Sequence, residues 1–129
     1  MAKTCFVFGS NEAGIHGAGA ARYAYEKKGA RYGKSYGHYG DSFAIPTKDE
    51  GIGPISDFNM IKMYVMGFIA YAHGHRKLTF EVSAIGCGLA GYKHSEMAPL
   101  FEGAPKNCRF DMRWKPYLGD SYTYFEAFE

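Results

Sequence analysis

This chain of 129 residues has few cysteines, little net charge and no long apolar run, and each of these features excludes some classes of function. A formal net charge of +2 gives no polyelectrolyte character, so nucleic acid is not indicated as the main partner. No stretch of about eighteen apolar residues occurs, and the N-terminus carries no signal-peptide pattern. We therefore expect a cytoplasmic protein with no membrane partner.

The cysteines and histidines predict neither a metal site nor a cofactor. The three cysteines cannot all pair within one chain and match no zinc-binding spacing, so we expect reduced thiols at Cys5, Cys87 and Cys108. His73 and His75 form an H-x-H pair, but Gly74 between them is typical of a helix end rather than of a metal site. For Cys87, which lies in a glycine-rich stretch, a nucleophilic thiol is the alternative to a small buried side chain.

The order of apolar and polar segments predicts an α/β protein that forms one domain over residues 1–129. Strand-like and helix-like runs alternate, with strands at 4–8, 43–46 and 78–85, helices at 18–28, 57–73 and 95–104, and a further candidate strand in 108–129. Such alternation predicts a sheet with parallel neighbours and helices on both faces.

Three local features complete this prediction. Pro46 is expected to end the second strand, because proline cannot donate a backbone hydrogen bond. The segment 30–42 holds many rings among glycines and is expected to be a surface loop, which either covers a ligand or meets a partner. Beside the apolar stripe of the long helix, three methionines are expected to pack rather than to bind a cofactor: Met60, Met63 and Met66.

Two glycine-rich stretches carry most of the functional information. Each follows an apolar strand-like run and leads into a helix-like run, at residues 6–29 and 80–101. Glycine lets backbone amides approach a ligand closely, and a helix N-terminus supplies positive potential and N–H donors. Ligands of parallel sheets lie beyond the carboxyl ends of the strands, where residues 47–49 also emerge. The pattern predicts a site for a phosphate-containing ligand, most simply a nucleotide.

The same two stretches resemble macrodomains, the fold that binds ADP-ribose and its derivatives. Asn11, Gly14, Gly17 and Gly19 in FGSNEAGIHGAGAA match the asparagine and glycines after the first strand of that family. The string IGCGL at 85–89 is especially similar to the terminal ADP-ribose protein glycohydrolase branch, which also has a Thr-Lys after an intervening strand, here in AIPTKD. This resemblance covers residues 5–101 and implies a three-layer α/β/α fold with a mixed, partly parallel sheet.

The resemblance also implies a ligand and its contacts. ADP-ribose or another NAD metabolite is the expected small-molecule partner, and an ADP-ribosylated macromolecule is a further one. The implied ligand-binding residues are Gly9, Ser10, Asn11, His16, Gly17, Ala18, Gly19, Thr47, Gly86, Cys87, Gly88, Leu89, Ala90, Gly91 and Tyr92. Three of these have structural alternatives: an Asx turn for Asn11, a mobile loop side chain for His16, and ring packing for Tyr92.

A hydrolase activity is implied as well, with one departure from the family. In the glycohydrolase branch a lysine attacks the anomeric carbon of the distal ribose, and an aspartate just after IGCGL assists. Lys48 matches the lysine, but position 90 is Ala90, so the acid must come from elsewhere: Asp49 is the first candidate, and Glu50, Asp41 and His16 are the alternatives. For Lys48, a counter-charge to a phosphate or an ordinary surface lysine are the alternatives to a nucleophile. The alternative is a module that binds ADP-ribose or an NAD-derived signal without turnover.

Other resemblances lead to different functions. The chain is similar to small macrodomain-like proteins of phages, which implies a host-cytoplasm protein that counters ADP-ribose signalling by sequestering the signal. FVFGS before a helix start also resembles folds that cleave nucleoside monophosphates, although their Pro-Gly-Gly string does not occur here. A structural phage component is the remaining alternative.

Overall fold

The computed structural model describes residues 3–51, 53–88 and 90–126. They form a six-stranded sheet in the order β2-β3-β1-β4-β5-β6. The strands are β1 (Lys3–Asn11), β2 (Gly37–Tyr39), β3 (Ser42–Lys48), β4 (Leu78–Val82), β5 (Cys108–Asp111) and β6 (Thr123–Phe125). All neighbours pair in parallel except β2, which runs antiparallel to β3. The predicted α/β class with a mixed, partly parallel sheet is confirmed.

The helices lie on both faces of this sheet. They are α1 (Gly19–Lys27), α2 (Phe58–Gly74), α3 (His94–Met97) and α4 (Lys115–Leu118), with short 3-10 turns after α3 and β5. α1 packs on Phe6 and Phe8 of β1, whereas α2 packs on the opposite face against Cys5 and Val7. A central parallel strand is buried on both sides, which explains why β1 is almost continuously apolar. The fold therefore has three layers, α/β/α.

The long helix begins where the sequence predicts. Asp57 is its N-cap, and its carboxylate accepts a hydrogen bond from the Asn59 backbone N–H at 3.0 Å. The buried stripe of α2 consists of Ile61, Val65, Phe68 and Ala72. The three methionines beside it are not packed, contrary to expectation, since Met60, Met63 and Met66 are 38%, 67% and 66% exposed. Their spacing places them next to the stripe but on the solvent side.

Several predicted boundaries are wrong. β3 continues through Pro46 to Lys48. Its neighbour β2 pairs with it no further than Ala44, so among the described residues β3 has no strand partner on that side at Pro46. A proline there removes no hydrogen bond between strands. The expected loop at 30–42 contains β2, β4 ends at Val82 rather than at residue 85, and the third helix stops at Met97 before a 3-10 turn. The tail provides two parallel strands instead of one. No helix among the described residues is long and apolar enough to cross a membrane.

Candidate functional site

A cavity of about 640 Å³ lies at the carboxyl edge of the sheet. Because β3, β1, β4, β5 and β6 run in the same direction, their carboxyl ends all meet at this edge. The lining residues are Gly9, Ser10, Asn11, Ile15, Gly17, Ala18, Gly19, Ala20, Ala21, Thr47, Lys48, Ser83, Ala84, Ile85, Gly86, Cys87, Gly88, Ala90, Asp111, Arg113 and Phe125. Neighbouring strands lie about 4.8 Å apart, so the edge from β3 to β6 is about 19 Å wide.

Asn11 organises the first glycine-rich loop. Its side chain, 3% exposed, donates to the Ile15 carbonyl at 2.7 Å and accepts from the Ile15 N–H at 2.9 Å. Within this turn Gly14 has φ +72°, and a Cβ there would lie 2.5 Å from the carbonyl carbon of Gly33. The loop therefore needs glycine at this position, and Asn11 both lines the cavity and holds the turn together.

The N-terminus of α1 borders the cavity. Gly17, Ala18 and Gly19 line it, and Ala18 is the N-cap residue with no side chain that caps the helix. The first N–H groups of a helix have no partner within it, and the helix dipole makes this end positive. Such an end is suited to bind an anionic group.

The second glycine-rich loop forms the facing wall. Gly9 of β1 approaches it so closely that a Cβ at Gly9 would lie 3.2 Å from Ile85 Cγ2. Gly86 has φ +78°, while a Cβ at Gly88 would meet nothing within 4 Å. Burial raises the pKa of Cys87 to about 11, so this thiol is protonated near neutral pH and is not an activated nucleophile.

Lys48 lies at the end of β3 on the cavity wall, beside the buried Thr47. Asp49, the next residue, does not line the cavity. Its carboxylate accepts a hydrogen bond from the Gly53 N–H at 3.0 Å, and its own N–H donates to the Gly53 carbonyl at 2.7 Å. The two predicted catalytic residues are therefore separated, with Asp49 held in the turn that follows β3.

Three other predicted residues do not line the cavity, and Leu89 lies outside the described residues. His16 is 1% exposed, packs edge-on against Phe8, and its Nε2 lies 2.9 Å from the Arg31 carbonyl oxygen. Burial lowers the pKa of His16, so the ring is neutral near pH 7. Gly91 lies in the turn closed by its hydrogen bond to Gly88, and the Tyr92 hydroxyl donates to the Ile55 carbonyl at 2.8 Å.

Sequence reasoning missed three lining residues from the C-terminal part of the chain: Asp111, Arg113 and Phe125. Asp111 ends β5 and is 2% exposed. Burial alone would raise its pKa, but hydrogen bonds and the charge of Arg113 outweigh burial, so the pKa of Asp111 is lowered. The sequence feature that could have identified Asp111 is a charged residue at the end of a short, mostly buried strand. Among the described residues, no group of three His, Cys, Asp or Glu is arranged to hold a metal ion.

No protein-family model and no curated protein matches the chain. A search of solved structures gives Thermosipho africanus DarTG in complex with ADP-ribose, with a TM-score of 0.57 and 18% sequence identity. The match covers 87% of this chain and 39% of that one, so the chain spans about two fifths of the length of the structure it matches. Identity this low shows a common fold and no more. Together with the sheet and its two glycine-rich loops, the match shows that this chain has a macrodomain-like fold.

Proposed function

We propose that the protein binds ADP-ribose, or a closely related NAD metabolite, in the cavity at the carboxyl edge of the sheet. The observation that carries this proposal is the convergence of both glycine-rich loops and the N-terminus of α1 on one cavity of about 640 Å³. A volume of this order is typical of small-molecule sites. The likeness to a protein solved in complex with ADP-ribose supports the choice of ligand.

The distribution of side chains along the cavity gives the ligand a direction. The glycine-rich loops and the uncapped end of α1 lie in the middle and are suited to the diphosphate. Asn11, Thr47 and Lys48 form a polar end, which suits the hydroxyl groups of the distal ribose. Phe125 of the outermost strand β6 lies at the opposite end, where an aromatic ring suits the base.

Calorimetric titration of the purified protein with ADP-ribose, and with AMP as a control, tests this proposal. We expect micromolar affinity for ADP-ribose and at least about tenfold weaker affinity for AMP, which lacks the second phosphate and the distal ribose. A folded sample that gives no heat with ADP-ribose would overturn the proposal.

Hydrolysis of ADP-ribosyl linkages through Lys48 is a second candidate, favoured by the position of Lys48 on the cavity wall at the end proposed for the distal ribose. In such a step the deprotonated Nζ bonds to the anomeric carbon while the bond from that carbon to the modified carboxylate breaks. The acidic side chain of the modified macromolecule leaves as a carboxylate, and water later releases ADP-ribose and restores the amine.

The position of the carboxylates limits this second candidate. Among the described residues that line the cavity, the one carboxylate is Asp111. It lies on β5, three strand spacings or about 14 Å from β3, and is already bonded to Arg113. Within the part of the chain that the structure describes, Lys48 thus has no acidic partner in the cavity within hydrogen-bond reach, so binding without rapid turnover is the main proposal. A module of this kind recognises or sequesters its ligand.

A further inference from the structure

The side of α2 that points away from the sheet is apolar and exposed. Met63 and Met66 are each about two thirds exposed, and Met60, one turn earlier, is also exposed. The outer side of a surface helix normally carries charged residues, whereas a helix that is apolar all round is normally buried. α2 contains a single lysine, Lys62, and no Asp, Glu or Arg. Its composition is therefore that of a helix covered on both sides, although the sheet covers only one.

Bulky and small residues divide this outward face into two halves. At about 100° per residue, Met63 and Ala70 point directly away from the buried stripe. Met60 and Gly74 lie on one side of that line, and Met66 lies on the other. Ala70 and Gly74 are exposed, and a Cβ at Gly74 would meet nothing within 4 Å. The face therefore has a raised half made by methionines and a low half made by small residues.

A second copy of the chain is complementary to this face when the two α2 helices run antiparallel. A two-fold axis beside Met66, the middle residue of α2, places the raised half of one helix on the low half of the other. Met63 and Ala70 lie about 5 Å from this axis in opposite directions along the helix, so each faces the other across the pair. Met60 and Gly74 are related in the same way, at about 10 Å. The exposed methionines thus meet small residues, and Met66 meets its own counterpart.

Charge and area also favour a second copy over other occupants. Lys62 lies at the margin of the face, so two identical faces approach without like charges at the centre. A membrane surface is less suitable, because helices that lie on membranes are rich in Lys and Arg. α2 is about 25 Å long, and a strip about 20 Å wide, or two helix diameters, gives about 500 Å² per copy. The total of about 1,000 Å² is at the lower end for specific interfaces and predicts a weak dimer.

We propose that the outward face of α2 is a dimer interface, in which two copies of this chain pair antiparallel about a two-fold axis at the middle of the helix. Among the described residues, none that lines the cavity belongs to α2, so the dimer leaves both cavities open. The inference does not depend on the proposed function, because it assumes no ligand.

Sedimentation velocity of the full chain, over a range from low micromolar to several hundred micromolar, tests the dimer. We expect wild-type protein to change from monomer to dimer over this range. Met63→Glu and Ala70→Lys should each weaken dimerisation at least about tenfold, because each places an unpaired charge at the centre of the interface. Met112→Glu changes an exposed methionine outside α2 and is the matched control, which should leave dimerisation unchanged.

The combined variant Met63→Glu, Ala70→Lys tests the antiparallel arrangement. Each new carboxylate then faces a new ammonium group of the second copy, so most of the lost affinity should return. The two groups do not pair within one helix, because helical side-chain pairs are three or four residues apart and these are seven apart. Both positions are exposed, so the variants should fold, which circular dichroism checks.

Three outcomes would overturn the inference. The first is wild-type protein that stays monomeric throughout the range, including one that binds vesicles of phosphatidylcholine and phosphatidylglycerol or a different protein instead. The second is a dimer that Met63→Glu leaves unchanged. The third is a combined variant that regains none of the affinity lost in the single variants, which would contradict the facing of Met63 and Ala70.

Discussion

Asn11 and Lys48 are Cα partners across the parallel pair β1–β3, and both line the cavity. The register of this pair shifts between Ser10 and Asn11, where β1 pairs with Pro46 and then directly with Lys48. Irregularities of this kind re-aim side chains at the end of a strand. Asn11, which holds the first glycine-rich loop, and Lys48, one of the cationic residues that line the described part of the cavity, are thereby placed side by side.

Lys48→Met separates binding from turnover. Any release of ADP-ribose from a modified acidic side chain should be abolished by this change, because no other lysine lines the described part of the cavity. The affinity for ADP-ribose should stay within about fivefold, since Lys48 is partly exposed and one such charge contributes about 1 kcal/mol or less. Mass spectrometry of an ADP-ribosylated peptide measures the release of ADP-ribose, and calorimetry measures the affinity for ADP-ribose. Lys62→Met, on the exposed side of α2, is the matched control, and unchanged release by Lys48→Met would exclude Lys48 as the nucleophile.

Asn11→Ala should destabilise the protein and weaken ligand binding together. The change removes both side-chain hydrogen bonds to Ile15 and leaves buried polar groups without partners, at about 1–3 kcal/mol of unfolding free energy. Urea denaturation measures the loss. Asn59→Ala is the control, because only the backbone N–H of Asn59 takes part in the described cap of α2. A loss no larger than that of the control would show that the turn does not depend on Asn11.

Comparison of Gly14→Ala with Gly33→Ala separates the effect of close packing on stability from the effect of backbone strain. Both glycines have positive φ, +72° and +81°, so both variants pay a similar cost for a left-handed backbone. A Cβ at Gly14 meets the backbone of Gly33 at 2.5 Å, whereas a Cβ at Gly33 meets nothing within 4 Å. In denaturant melts we expect Gly33→Ala to lower the free energy of unfolding by about 1–2 kcal/mol, and Gly14→Ala to lower it clearly more. Equal losses would contradict this contact between the two loops.

The buried His16 should make stability depend on pH. Burial lowers its pKa in the folded protein below the ordinary value of 6.5, so the unfolded chain binds more protons between the two values. The stabilising contribution is therefore present above about pH 6.5 and is lost as the pH falls toward the pKa of the folded state, with a slope of up to about 1.4 kcal/mol per pH unit. His16→Phe keeps a ring against Phe8 and removes the proton. The slope of unfolding free energy between pH 7 and 5.5 should be smaller in this variant, and identical slopes would contradict the assignment to His16.

Much of this fold follows from local pattern, and the exceptions have physical causes. β1 and α2 are predictable, because β1 is apolar on both faces and α2 has a capping aspartate before a helical stripe. The prediction that Pro46 ends its strand was wrong, because a proline disrupts a strand only where a neighbouring strand would bond to its N–H. The strand pairing, which the sequence does not show, decides this. The exposed methionines of α2 mislead because an apolar residue next to a stripe can lie just outside the contact.

The sequence predicts the glycine-rich loops in the middle of the candidate site but not the residues at its C-terminal end. Glycine-rich loops carry their signal in consecutive residues, so most of the residues predicted there line the cavity. Arg113 and Phe125 lie far from those loops in sequence and reach the cavity only because β5 and β6 extend the sheet in parallel. His16 was expected at a ligand, but its ring points into the packing around Phe8. Side-chain direction within an irregular loop is not encoded by spacing.

The central claim is that the two glycine-rich loops bind ADP-ribose between them, and the pair Gly88→Glu and Gly74→Glu tests it most directly. Both positions lack positive φ and have no atom within 4 Å of an added Cβ, so both variants should fold, but only Gly88 lines the cavity. Calorimetric titration with ADP-ribose should give micromolar affinity for wild-type protein and Gly74→Glu. Gly88→Glu should bind at least about 100-fold more weakly, because the new carboxylate occupies the proposed diphosphate position and repels it. Wild-type affinity in a folded Gly88→Glu variant would contradict the account.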